Sequence, residues 1–215
     1  MVDFAALERV IAAPPETRLE GPTLLFAGKL EPNKGAGLLP AIFRELRELG
    51  APPFTLLIAG DGALRNALER ELGELGVRAQ FLDWAGHDEL LRLMARCDLL
   101  LFPSAWGEPL SRVLLEASSV GAPILAMPTG GTPDIIADGV SGALAATPRA
   151  FAVRLRELLA DPAAARRLGT RARELARERY AAPELVTRYE ELYVRAQQRS
   201  AAAPLQSQPE TPQQR

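Results

Sequence analysis

The sequence predicts an α/β protein with a doubly wound, Rossmann-like parallel sheet. Two observations support this fold class: short apolar runs recur along the chain, and helical patterns fill the gaps between them. Most of the runs are continuously apolar, which is typical of parallel strands covered by helices on both faces. They occupy residues 23–27, 54–59, 78–82, 98–102 and 123–127. Strands that alternate with helices in this way favour a doubly wound sheet.

Amphipathic helices are predicted between the strands. Residues 38–49 carry large apolar side chains at helical spacing, and Gly50 follows as a stop signal. Residues 63–75 and 89–95 fill the next two gaps in the same way. We therefore expect a single domain over residues 21–197. Residues 1–20 show only a weak helical pattern before a Pro-Pro pair, and we predict a leader or linker there.

Extra helices are predicted at the C-terminal end, because the strand signals stop after about residue 147. The first covers residues 150–159. Asp161 followed by Pro162 is typical of an N-cap with proline at the first helical position, and opens a helix to about residue 179. A last helix covers residues 183–197. Alanine, glutamine, serine and proline dominate residues 198–215, which predicts a disordered tail.

Composition excludes several classes of protein. The 25 lysines and arginines balance 27 aspartates and glutamates, which argues against a nucleic-acid-binding protein. One cysteine and one histidine exclude an intrachain disulfide and a Cys/His zinc site. The N-terminus has no signal-peptide pattern, and the apolar runs are too short to span a bilayer. We expect a cytoplasmic protein, with attachment to a membrane surface left open.

The loop after the first strand is a candidate phosphate site. In a doubly wound sheet, ligands bind outside the carboxyl ends of the strands. Gly28 and Lys29 open this loop, and Lys34 and Gly35 close it before a helix begins. Lysines beside a helix N-terminus favour an anion. Two solvated loop lysines are the alternative. The turn after the second strand, Gly60-Asp61-Gly62, is weak evidence by itself.

Two carboxylates follow the fourth strand. Glu116 sits among apolar residues in a helix that is predicted to be buried, and a buried carboxylate is costly unless a partner satisfies it. Glu108 lies in the loop before that helix. Two hydrogen-bond acceptors at one crevice suit a hydroxyl-rich ligand such as a ribose and a second sugar. The alternative is a Glu116 bonded to backbone or an arginine, with Glu108 merely exposed.

The loop after the fifth strand offers another helix start. Gly130 and Gly131 precede Thr132, the expected N-cap, and Pro133 at the first helical position. By itself this pattern does not distinguish ordinary capping from ligand contact.

Taken in order, these segments resemble the nucleotide-sugar-binding half of family 4 (group 1) glycosyltransferases of the GT-B fold. The resemblance covers about residues 20–195. The segments that carry it are Gly28-Lys29 with Lys34-Gly35, Gly60-Asp61-Gly62, Asp98 to Ser104, Glu108 with Glu116, and Gly130-Gly131 with the stretch from Asp134 to Gly142.

The resemblance implies a role for each matching position. Lys29 and Lys34 would hold the donor diphosphate, and Glu108 would contact the transferred sugar; these three form the expected catalytic set. Glu116 would bind the ribose hydroxyls. Backbone near Leu110 and Ser111 would meet sugar or phosphate, and Leu82 and Asp83 would lie by the base, with Gly28, Gly60, Asp61 and Gly62 completing the donor site.

The implied reaction is transfer of a hexose from a nucleotide diphosphate sugar, most readily UDP- or GDP-linked, with retention and without metal or cofactor. Lys29 replaces the family's usual arginine, and Ser111 stands where many members have glycine. The acceptor half that precedes this half in the family has no counterpart here. We expect a missing domain or partner chain to supply it, and an inactive isolated chain.

Two other functions are alternatives to a donor-binding half that serves sugar transfer. One is a module that binds a nucleotide or nucleotide sugar without turnover. A Rossmann-like protein with other chemistry is disfavoured, because no G-x-G-x-x-G follows the first strand. His87 is interpreted as a surface or capping residue, Trp84 and Trp106 as packing residues, and Cys97 as an inert core thiol.

Overall fold

A computed structural model describes residues 2–202, and within them the side chains of all but residues 183–184 and 199–202. The core of the fold is a parallel sheet of six strands in the order β3-β2-β1-β4-β5-β6. The strands are β1 (Thr23–Ala27), β2 (Thr55–Ala59), β3 (Ala79–Phe81), β4 (Leu99–Phe102), β5 (Ile124–Ala126) and β6 (Ala143–Leu144). The predicted doubly wound sheet is confirmed.

Helices cover both faces of the sheet. Their bounds are α1 (Phe4–Ala12), α2 (Leu39–Leu49), α3 (Arg65–Glu74), α4 (His87–Met94), α5 (Arg112–Val120), α6 (Thr132–Ile135), α7 (Pro148–Ala160), α8 (Pro162–Tyr180) and α9 (Ala182–Ala202). Two turns of 3-10 helix, Pro32–Lys34 and Ala36–Leu38, lead from β1 into α2. None of the helices within residues 2–202 combines the length and apolar character needed to cross a membrane.

Alternate residues of each strand feed two separate cores. In β1, Leu24 and Phe26 point into a cluster with α2, α3 and α7, whereas Leu25 and Ala27 join α1, α4 and α5 on the opposite face. Every residue of β1, β2, β4 and β5 is buried. This two-sided burial is the reason that these segments are apolar without alternation. The edge strand β3 is only half-buried.

Local capping signals define several helix ends. Gly50 ends α2 with φ of 66°, as its position predicted. The Asp161 carboxylate accepts a hydrogen bond from the Ala164 amide at 2.9 Å, which confirms it as the N-cap of α8. The N-cap prediction for Thr132 was wrong by one position, because Gly131 is the N-cap and Thr132 is the first residue of α6. The predicted strands omitted β6, which is only two residues long.

Both terminal segments contain helix, α1 within residues 1–20 and the last residues of α9 beyond residue 197. Within the expected leader 1–20, α1 packs on α4 and α5, and its Leu7 is buried. The Val2 amide also donates to the Tyr180 carbonyl at 2.9 Å. At the other end, α9 runs to Ala202, past the predicted boundary at residue 198. The rest of the predicted tail, 203–215, lies outside the described residues.

Candidate functional site

The candidate site lies at the carboxyl edge of the sheet, where the strand order reverses. β1 pairs with β2 on one side and with β4 on the other. From β1 the chain builds β2 and β3 toward one edge of the sheet, and it then returns to β4 and builds β5 and β6 toward the other edge. A crevice opens at the carboxyl ends of β1 and β4, where these two directions separate. Five loops begin at this edge, namely those that follow β1, β2, β3, β4 and β5. These are the loops that hold the predicted site residues.

A crevice of about 310 Å³ opens between α4 and α5. Its floor is formed by Ala27, Gly28, Ala59 and Gly60 at the ends of β1 and β2. These residues have little or no side chain, so a ligand can approach the backbone closely. The walls are formed by Trp84, Ala85, His87, Leu90, Arg112, Val113 and Glu116. Three predicted site residues, Gly28, Gly60 and Glu116, therefore meet in one cavity.

Glu116 is held in the wall of this crevice by contacts from two helices. Its side chain is 19% exposed. The Oε1 atom lies 3.0 Å from His87 Nε2 and accepts a hydrogen bond from Arg112 Nε at 3.4 Å. His87 begins α4 and Arg112 begins α5, so the carboxylate lies between both helix starts. The arginine contact matches the alternative that the sequence left open for Glu116.

Lys34 and Glu108 form an ion pair across two loops. Glu108 is 20% exposed, so it is not the merely exposed residue of the alternative interpretation. The pair joins the loop after β1 to the loop after β4. Two members of the predicted catalytic set thus touch each other and neutralise each other's charge. Lys29 is more exposed than Lys34, and its Nζ lies 3.9 Å from Glu31 Oε1.

Close backbone contacts fix the loop that carries Lys34. Gly35 has φ of 75°, and a side chain there would overlap the Pro103 carbonyl. The Trp106 amide donates to the Asn33 carbonyl at 3.1 Å, and the Ser104 hydroxyl donates to the same carbonyl at 3.3 Å. The loop after β1 and the loop after β4 are therefore one packed unit, which explains the glycine at position 35.

A second backbone contact supports the loop that carries Glu108. The Gly131 amide donates to the Glu108 carbonyl at 2.8 Å, and a side chain on Gly131 would overlap the Pro109 carbonyl. The Gly130-Gly131 turn after β5 therefore buttresses the loop after β4.

Leu110 and Ser111 lead into α5. Leu110 is exposed, whereas Ser111 is buried at the N-cap position. The Ser111 side chain forms no capping hydrogen bond, so it does not satisfy the first backbone N–H groups of α5. Such N–H groups favour an anion.

Leu82 and Asp83, which were predicted to lie by the base, follow β3 and directly precede the crevice residues Trp84 and Ala85. Leu82 is half-buried, and Asp83 is exposed with a positive φ of 50°. Arg65, from α3, forms an ion pair with Asp83 and lies 3.9 Å from Asp61. Its guanidinium also lies 5.3 Å from the centre of the Phe81 ring. Arg65 thus links the turn after β2 to the loop after β3.

Sequence reasoning missed three residues of the crevice wall. His87 is exposed, as its interpretation as a surface residue predicted, but its ring also contacts Glu116. The packing interpretation of Trp84 and Trp106 was wrong, since Trp84 is 72% exposed at the crevice and Trp106 is exposed as well. The available signal was that His87 and Trp84 directly follow β3, at the same edge as the other loops. Arg112 lies one turn before Glu116, a spacing that permits an ion pair.

Metal ligation has little support in the described part of the chain. Within residues 2–202, no three His, Cys, Asp or Glu side chains are grouped closely enough to hold a metal ion.

Sequence comparison relates the chain to known families. The family described as glycosyl transferases group 1 matches residues 9–175. Over 149 residues the chain is 35% identical to a glycogen synthase of Mycobacterium tuberculosis, covering 67% of this chain and 35% of that protein. Over 177 residues it is 32% identical to a D-inositol 3-phosphate glycosyltransferase of Mycolicibacterium gilvum, covering 77% of this chain and 37% of that protein. The chain spans little more than a third of each relative.

Solved structures share the fold. HepE of Anabaena, in complex with UDP and glucose, matches with a TM-score of 0.70 at 23% identity, covering 89% of this chain and 52% of that chain. The C-terminal domain of LpcC, a glycosyl transferase group 1 family protein of Francisella tularensis, matches with a TM-score of 0.66 at 18% identity. That match covers 85% of this chain and 95% of the LpcC domain. The fold is one Rossmann-like half of the GT-B architecture. Because the family match covers most of its length, the chain belongs to the group 1 glycosyl transferases.

Proposed function

We propose that the chain binds a nucleotide diphosphate sugar at the carboxyl edge of β1 and β4, as the donor half of a retaining hexosyltransferase. UDP- and GDP-linked sugars are the donors we favour. The observation that carries the proposal is the half-buried carboxylate of Glu116, which faces a crevice floored by Gly28 and Gly60. A fixed acceptor over a floor of small residues suits a ribose, whose hydroxyls donate hydrogen bonds.

Positive groups near this crevice support a diphosphate site. Lys29 and Lys34 lie in the loop after β1, and the N-terminus of α5 begins without a side-chain cap. Lysine point charges and free helix N–H groups both favour phosphate oxygens. In this proposal the diphosphate competes with Glu108 for Lys34.

The groups that bind the diphosphate would also promote sugar transfer. When the bond between the anomeric carbon and the diphosphate breaks, its electron pair leaves with the diphosphate, and the oxygen of an acceptor hydroxyl bonds to the carbon. The proton of that hydroxyl passes to the departing diphosphate. Lys29, Lys34 and the α5 N-terminus would stabilise the charge that builds up on the leaving group. Once released from Lys34, Glu108 would contact the transferred sugar. The acceptor would be bound by another domain or a partner chain.

Titration calorimetry with UDP, GDP and ADP tests the proposal. Wild type should bind at least one nucleotide, and Glu116→Gln should weaken that binding about tenfold to a hundredfold, because a charge-assisted contact is lost. Glu157→Gln is the matched control, since Glu157 lies exposed on α7 and should leave binding unchanged. If none of the three nucleotides binds wild type, the proposal is wrong.

A module that binds without turnover remains the second candidate. The ion pair between Lys34 and Glu108 favours it, because each expected catalytic group already neutralises the other. Sugar transfer after addition of a separate acceptor domain distinguishes the two functions. Transfer supports the enzyme, whereas tight binding with no transfer to any acceptor supports the module.

A further inference from the structure

His87 connects the loop after β3 to the carboxylate on α5. It is the first residue of α4 and the single histidine of the sequence. Its ring lies in the crevice wall with Glu116 and Arg112. The contact joins residues 29 positions apart in sequence, so it exists only because α4 and α5 both begin at the carboxyl edge of the sheet.

Both contacts to the Glu116 carboxylate fall on one oxygen. His87 Nε2 lies 3.0 Å from Oε1, and Arg112 Nε lies 3.4 Å from the same atom. A carboxylate accepts hydrogen bonds and does not donate them, so the proton of this contact is on His87 Nε2. Oε2 is the oxygen that neither contact uses, and it remains available to a ligand.

Of the two partners, His87 is the better placed to orient the carboxylate. The Arg112 side chain is 83% exposed and makes the longer contact. A flexible, solvated arginine at this spacing restricts its partner weakly. The His87 ring has only two rotatable side-chain bonds and approaches from a different helix, so its hydrogen bond fixes the direction in which Glu116 points.

The contact adds little to the stability of the fold. The His87 side chain is 55% exposed, and pairs this accessible to water contribute weakly to the free energy of unfolding. Its effect is therefore on the orientation of Glu116 within the crevice.

We infer that His87 is a positioning residue for donor binding: its Nε2 holds Oε1 of Glu116 so that Oε2 faces the ribose hydroxyls. This inference rests on the proposed function and deepens it. His87 does not need to touch the donor. Its contribution passes through Glu116, so it concerns the nucleoside part of the ligand and not the diphosphate.

Dissociation constants for UDP and for inorganic pyrophosphate test the inference, because pyrophosphate has no ribose. His87→Ala should weaken UDP binding about threefold to tenfold, the effect of one hydrogen bond, and leave pyrophosphate binding unchanged. His87→Gln, which keeps a donor at a similar distance, should recover most of the loss. The melting temperature of both variants should fall by less than about 4 °C.

A double-mutant cycle shows whether His87 acts through Glu116. In the Glu116→Gln background, His87→Ala should weaken UDP binding less than twofold further, because the carboxylate that it orients is already gone. Arg112→Ala in the wild-type background serves as the comparison and should have the smaller effect.

Failure of the inference and failure of the proposed function give different results. If wild type binds UDP and His87→Ala binds it equally well, His87 has no positioning role. Equal losses for UDP and pyrophosphate, or a full loss that persists in the Glu116→Gln background, would also overturn it. If wild type binds no nucleotide, the proposed function is wrong and the role of His87 is wrong with it.

Discussion

Glu108 and Lys34 give opposite expectations for substitution, because they share one ion pair. In Glu108→Gln, Lys34 loses its partner and becomes available to the diphosphate. We expect UDP to bind up to about fivefold more tightly, since an ion pair with partial access to water contributes up to about 1 kcal/mol. Lys34→Ala should instead weaken both UDP and pyrophosphate. Calorimetric titration of the two variants measures both effects.

The outcome separates two roles for Glu108. A tighter nucleotide complex together with reduced sugar transfer would assign Glu108 to the sugar. If Glu108→Gln weakened UDP binding, Glu108 would instead support the nucleotide site directly, and competition for Lys34 would be the wrong description. Glu157→Gln remains the matched control.

Cys97 should be inert in the folded protein. Burial, together with a smaller effect of the nearby Asp98 charge, raises the pKa of its thiol to about 12. Its sulfur also donates to the Met94 carbonyl at 3.4 Å. The thiolate is the reactive form, so almost no reaction with a thiol reagent is expected at pH 8. Full labelling in denaturant and none in buffer would agree with this, and rapid labelling of the folded protein would contradict it.

Among the structural elements, the loop between β1 and α2 depends most on one glycine. Gly35→Ala places a methyl group against the Pro103 carbonyl and keeps a positive φ. We expect a loss of about 2–4 kcal/mol in the free energy of unfolding. UDP affinity should fall as well, because the shift moves Lys34. Denaturant unfolding measures the first effect.

Gly73 provides the matched control. It lies within α3, and a side chain there would meet nothing within 4 Å. Gly73→Ala should stabilise the protein by about 0.5–1 kcal/mol, the gain expected for alanine in a helix. Equal effects of the two substitutions would show that the contact with Pro103 does not matter.

The elements that the sequence predicted well are those with strong local signals. The first strand is observed as predicted, at Thr23–Ala27, because two-sided burial leaves a continuous apolar run. Asp161 before Pro162 located the start of α8 for an equally local reason, a side-chain cap. β6 was not predicted, because two residues are too few to show a hydrophobic pattern. Its pairing with β5 depends on the assembled sheet.

The site was predictable only in part for a related reason. The loops could be placed at one edge because the predicted sheet is parallel and doubly wound, and Glu116 stood out as a carboxylate among apolar residues. The partners of that carboxylate could not be derived, because His87 lies on another helix and the exposure of Trp84 depends on packing. Likewise, the pairing of Lys34 with Glu108 requires two loops to meet in space.

For the whole molecule, donor binding should raise thermal stability. UDP at one hundred times its dissociation constant stabilises a folded protein by about 2.7 kcal/mol if it does not bind the unfolded chain. For a protein of this size, that corresponds to a rise of about 5–10 °C in melting temperature. Differential scanning fluorimetry with wild type and Glu116→Gln measures it. A rise of equal size in both proteins at the same UDP concentration would place the nucleotide elsewhere.

Sugar transfer requires an acceptor site as well as a donor site. Because the chain spans little more than a third of the glycogen synthase that it matches, we propose that an acceptor site comes from another domain or chain. We therefore expect residues 1–215 alone to transfer a negligible amount of sugar to any acceptor, even when UDP binds. Turnover by residues 1–215 alone would contradict this expectation.

The most direct test of the donor-site assignment is a crystal structure of the chain with UDP. We predict a ribose hydroxyl within about 3 Å of Glu116 Oε2, over the floor formed by Gly28 and Gly60. The diphosphate should face Lys34 and the N-terminus of α5. A ribose bound outside this crevice, or bound inside it without contacting Glu116, would contradict the assignment of the donor site.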